Sequence, residues 1–77
     1  MSKPNKITQD QMDELVYCLV SRKDKFPALL EEYTGIIAKP YIAFQYFDQH
    51  ENYICDSDNC SLYDLMEDEE IEVVANA

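Results

Sequence analysis

The sequence predicts an α+β domain: an N-terminal αα-hairpin packed on a small antiparallel sheet, with a short helix before the last strand. Three observations point there. An apolar stripe of helical period runs from Met12 to Val20, and β-branched and aromatic residues crowd positions 36–47. Between them stands Gly35, where a second helix has to stop. A chain of 77 residues is one domain. Its 47% hydrophobic content, with six Tyr and three Phe, supplies one core despite the net charge of −10.

Residues 1–7 read as a flexible polar tail, and residues 8–77 as a single acidic α+β domain. Thr8 and Gln11 have the spacing of a capping box and open the first helix. Met12, Leu15, Val16, Leu19 and Val20 follow on one face, with Cys18 beside them as a small buried hydrophobe. Asp10, Asp13 and Glu14 suit the positive end of the helix dipole, and Arg22 and Lys23 the negative end. The second helix is expected from about Asp24 to Tyr33, with Pro27 in its first turn and Phe26, Leu29, Leu30 and Tyr33 facing inward.

Ile36 to Phe47 has strand composition, with Pro40 suggesting an edge or a bulge at its start. Residues 48–52 form a polar turn, and Tyr53, Ile54 and Cys55 return as the partner strand of a hairpin. Asp58 or Ser61 caps a short helix reaching about Glu67, with Leu62 and Met66 on one face. Ile71, Glu72 and Val73 alternate as a third strand, and Val74 to Ala77 is expected to fray. The expected core contains Leu15, Leu19, Leu30, Ile42 and Phe44.

Charge is divided unevenly. Residues 1–39 carry all six Lys and Arg and six acids, so that half is neutral. Residues 40–77 carry ten acids and no Lys or Arg. This disfavours direct contact with nucleic acid or an anionic membrane and favours a basic partner, although acidity also serves solubility. No run approaches the roughly 18 apolar residues of a membrane span, and the polar opening Met1 to Lys6 lacks the apolar core of a signal peptide. A cytoplasmic protein with free thiols is the expectation.

Four chemistries can be weighed. Asp56, Asp58, Cys60, Asp64 and Glu67 occupy ligand positions of a calcium-loop frame, but Cys60 is not an oxygen ligand and Ser61 replaces the Gly that the sharp turn requires. His50, Cys55 and Cys60, with Cys18, are zinc-ligand types, but lack the closely spaced Cys pair of recognised sites. Cys55 with His50 has the residue types of a nucleophile and base, with no third group to orient them. Ser61-Leu62-Tyr63-Asp64-Leu65 is similar to the Ser-Leu opening an acidic helix in acyl carrier proteins. The likeness spans five residues, and the aromatic, strand-rich middle does not suit a helical bundle. No catalytic residue, metal or cofactor is therefore expected.

The remaining feature is an acidic surface with aromatics among it. The candidate partner-binding residues are Asp48, Glu51, Asp56, Asp58, Asp64, Glu67, Asp68, Glu69, Glu70 and Glu72, with Tyr46, Tyr53 and Tyr63. Same-face neighbours on a strand lie about 6.6 Å apart, so Glu70 and Glu72 would space two charges much as consecutive phosphates are spaced. The expected function is that of a small acidic inhibitor or modulator, which binds a basic, nucleic-acid-binding protein and imitates nucleic-acid charge. In composition the chain is similar to acidic inhibitors of phages and mobile elements. The alternative is an accessory or oligomeric structural protein whose apolar helical face makes the contact.

Overall fold

The computed structural model describes residues 6–76. The chain runs β1 (Lys6–Thr8), α1 (Gln9–Ser21), α2 (Phe26–Thr34), β2 (Ile37–Pro40), β3 (Phe44–Phe47), β4 (Tyr53–Asp56), α3 (Leu62–Asp68) and β5 (Glu72–Val74). The expected α+β class is present: two helices come first, β2, β3 and β4 form an antiparallel sheet, and a short helix precedes the last strand.

The first helix starts as its sequence dictates. Gln11 N donates to Thr8 Oγ1 at 3.1 Å, and Thr8 N donates to Gln11 Oε1 at 2.8 Å, so two donors at the helix start are satisfied reciprocally. Helix α2 ends at Gly35 with φ 80°, and its N–H donates to Glu31 O at 2.8 Å. That left-handed cap is open to glycine without the steric penalty a Cβ brings. The two helices are tied by Tyr33, whose hydroxyl donates to Glu14 Oε1 at 2.6 Å. This bond to a carboxylate, reinforced by desolvation, pushes the Tyr33 hydroxyl up to about 12.

The sheet has the order β2-β3-β4. Ile37 pairs with Phe47 and Pro40 with Phe44, and β4 pairs back through Gln45 with Asp56 and Phe47 with Tyr53, with an irregularity that leaves Ile54 without an opposite residue. One core joins the layers. Met12, Leu15, Phe26, Leu30, Tyr46 and Leu65 are fully buried within it, and Phe26 packs on Phe44 at a centroid distance of 5.2 Å.

Five expectations are corrected. Residues 36–47 are two strands rather than one, because the chain turns at 41–43, where Tyr41 N donates to Ala43 O at 2.7 Å. Ile42 is therefore at a turn tip and 87% exposed, not in the core, and Leu19 is only partly buried. Lys6 and Ile7, placed by the sequence in a flexible tail, form β1 with Ile7 buried; residues 1–5 lie outside the described residues. The last strand, which begins at Glu72, does not join the antiparallel sheet. It pairs parallel with β1, Ile7 opposite Val73. Instead of fraying, Val74 lies opposite Thr8, and Asn76 closes a mutual pair with Asp10: Asp10 N donates to Asn76 Oδ1, and Asn76 Nδ2 to Asp10 Oδ1, each at 3.0 Å. Ala77 lies outside the described residues.

Candidate functional site

The turn between β3 and β4 is built by one carboxylate. Asp48 Oδ1 accepts from His50 N at 2.8 Å and Asn52 N at 2.9 Å, and Oδ2 accepts from Asn52 Nδ2 at 3.2 Å. The Asn52 backbone bond chiefly, followed by the side-chain bond from Asn52 and the His50 N–H, holds the Asp48 carboxyl below its ordinary range. The turn places Glu51 at φ 66°, and Glu51 Oε1 lies 3.7 Å from Lys39 Nζ. Lys39 also stands 4.8 Å over the Phe47 ring, which meets Tyr53 edge-on.

The end of α3 approaches the same turn. Glu69, the C-cap of α3, is half-buried with Asp48, Asp68 and Glu70 around it. Desolvation first, then the repulsion of those three carboxylates, raises the Glu69 carboxyl above its ordinary range. The structure thus gathers acids from the β3–β4 turn and the end of α3. Among the described residues, Glu51 is the one candidate acid with an ion pair.

Other candidates have local structural roles. Asp64 closes a second capping box, accepting from Ser61 N while its own N–H donates to Ser61 Oγ, both at 3.2 Å. Ser61, rather than Asp58, is therefore the cap, and its hydroxyl is engaged in that box. Asp56 Oδ1 accepts from the Tyr53 hydroxyl at 2.7 Å, which pushes that hydroxyl up to about 12. Tyr53 and Tyr63 are more than half exposed and accessible to a partner. Glu67 and Asp58 are exposed.

Two candidate features fail. Tyr46 is fully buried in the core and cannot contact a partner. Its hydroxyl has no hydrogen bond of sound geometry, and although Ser57 lies near enough to favour ionisation slightly, burial dominates and pushes it up to about 12. Glu70 and Glu72 do not form a strand ladder. Glu70 is in a turn at φ 56°, while Glu72 opens β5 opposite Lys6. The extended strand from which a phosphate-like spacing of this pair was expected does not include Glu70.

Cys55 and Cys60 lie against the core near one another, while His50 is exposed in its turn and Cys18 is buried in α1. Burial, with the neighbouring Cys60 thiol, holds the Cys55 thiol well up and suppresses its thiolate. Among the described residues, no three His, Cys, Asp or Glu side chains are grouped as metal ligands would be. No helix among them is long and apolar enough to cross a membrane.

The sequence reading missed a second surface. Leu19 and Lys23 from the end of α1 and the following turn, residues 40–44 from the β2–β3 hairpin, and Ser57 and Asp58 line a groove of about 340 Å³. Of these, Tyr41 and Ile42 are exposed. Pro40 was the available signal, since a residue with no N–H ends a strand and admits a turn. Comparison with protein-family models, curated proteins and solved structures finds no match to this chain.

Proposed function

We propose that the chain is a small acidic interaction protein, an inhibitor or modulator that binds a basic protein through Asp48, Asp68, Glu69 and Glu70, with Tyr53 and Tyr63 as aromatic contacts. The observation that carries this reading is the half-buried Glu69 among three other carboxylates, with its own carboxyl raised. Clustered like charges repel one another, and a cationic surface relieves that repulsion on binding. The proposed role is binding rather than catalysis. A nucleic-acid-binding protein is the preferred target class because its basic surface already accommodates closely set negative charges. The irregular placement of the acids favours charge complementarity over a copied phosphate ladder.

The test begins with affinity capture of partners at low and at high salt. Binding through exposed charge should weaken steeply with salt, since screening acts over about 8 Å at physiological ionic strength. Replacing Asp68, Glu69, Glu70 and Glu72 by their amides should leave the domain folded and slow association more than it speeds dissociation. DNA or RNA should compete with this protein for the target. A captured partner whose affinity ignores both salt and the amide replacements sinks the proposal.

A further inference from the structure

Three thiols are free in this chain, and two of them belong to one local structure. Cys55 lies in β4 opposite Tyr46 of β3. Directly opposed residues of an antiparallel pair share a face of the sheet, and Tyr46 is fully buried in the core. The Cys55 side chain is therefore on the core face, where it packs half-buried. After Asp56 the chain turns sharply. Asn59 N and Cys60 N both donate to Asp56 O, at 3.1 Å and 3.0 Å, which brings residue 60 back beside the end of β4. Ser57 fixes the same turn to β3. Its N–H donates to Phe44 O at 2.8 Å, and Phe44 N donates to its Oγ at 3.0 Å. Cys60 is half-buried against the same core, and its thiol donates to Ser61 O at 3.6 Å. The Cys55 and Cys60 thiols thus lie within reach of each other, while Cys18 is buried in α1.

We infer that Cys55 and Cys60 form a redox-active dithiol, which closes reversibly to a disulfide by exchange with a low-molecular-weight disulfide such as oxidised glutathione. Burial suppresses the Cys55 thiolate, so Cys60 makes the first attack. The Cys60 thiol gives its proton to solvent, and its sulfur bonds to one glutathione sulfur. The glutathione S–S bond breaks, and one glutathione leaves. Cys55 then loses its proton and attacks the Cys60 sulfur, and the second glutathione leaves. Two protein thiols have given up two protons and two electrons, and the oxidant has become two thiols.

The bond joins β4 to the residue before Ser61, the cap of α3. It ties the start of that helix to the sheet, at the other end of α3 from Glu69. The inference does not rest on partner binding by the acidic surface.

Exchange with oxidised glutathione, quenched in acid and read by intact mass, tests it. The folded chain should lose two hydrogen atoms, and its free thiols should fall from three to one. Peptide mapping should place the bond between Cys55 and Cys60, and dithiothreitol should restore all three thiols. Cys55→Ser should stop at a glutathione adduct on Cys60. The exchange equilibrium should favour the disulfide at least about tenfold more in the folded chain than in denaturant, because the fold holds the two thiols together. A folded chain that gives only glutathione adducts overturns the inference, as does a bond to Cys18. An equilibrium no more favourable in the folded chain also overturns it, since the pair would then reflect nearness in sequence alone.

Discussion

Tyr46 shows how far residue identity alone carries. Its composition class marks it equally as an interface aromatic or a core aromatic, and alternation with Phe44 on one face of β3 decides for the core. Removing its unsatisfied hydroxyl by Tyr46→Phe should stabilise the domain by about 1 kcal/mol in urea unfolding. Leu15 and Leu30 were legible as core from helical spacing and are fully buried, whereas Leu19 lies at the groove. Leu15→Ala should therefore lose about 2–5 kcal/mol, Leu19→Ala distinctly less, and Ile42→Ser less than about 0.5 kcal/mol. Glu69 gives a pH signature. Its folded carboxyl holds its proton more tightly than the unfolded chain does, so its contribution favours folding below the unfolded pKa and is lost as pH rises through the folded one. Glu69→Gln should raise the melting temperature at neutral pH, and the gain over the native protein should shrink as the solution is acidified. Asp48 has the opposite sign: its stabilising bonds are present above the unfolded pKa and lost as pH falls through the folded one.

Elements whose signals are local were readable, and those whose signals are distant were not. The capping box at Thr8, the stop at Gly35 and the polar turn at 48–52 each depend on residues a few positions apart, and each stands where its chemistry placed it. Gly35→Ala should cost about 1–2 kcal/mol in equilibrium unfolding, because φ 80° penalises any Cβ. The crowding by Gln49 Nε2, 2.6 Å from where that Cβ would stand, adds little, since a flexible side-chain end can move aside. The β1–β5 pair joins segments at opposite ends of the sequence, each three residues long. No local period identifies a parallel partner so remote, so Lys6 and Ile7 looked like tail. Residues 36–47 misled for a different reason. Apolar alternation through Ala38, Pro40, Ile42, Phe44 and Tyr46 continues unbroken across a turn, and a period of two cannot reveal that the chain has reversed. The acidic cluster was half legible: the sequence supplied the acids, but only the approach of α3 to the Asp48 turn selects Glu69 from among them.

At the scale of the molecule, the three-stranded sheet separates two surfaces of different character. One end gathers Asp48, Glu69 and their neighbours, while the other presents the exposed Ile42 and Tyr41 in a groove that Lys23 and Asp58 also line. The net charge of −10 attracts a basic partner at long range, so salt should weaken its binding, chiefly through the association rate. The partner dissociation constant should rise across a salt series, and the four amide replacements should flatten that response. Ile42→Asp, at the other end of the sheet, should leave it unchanged. If Ile42→Asp moves the partner dissociation constant as far as the amide replacements do, binding does not reside at the acidic end, and the assignment of the partner to that end fails.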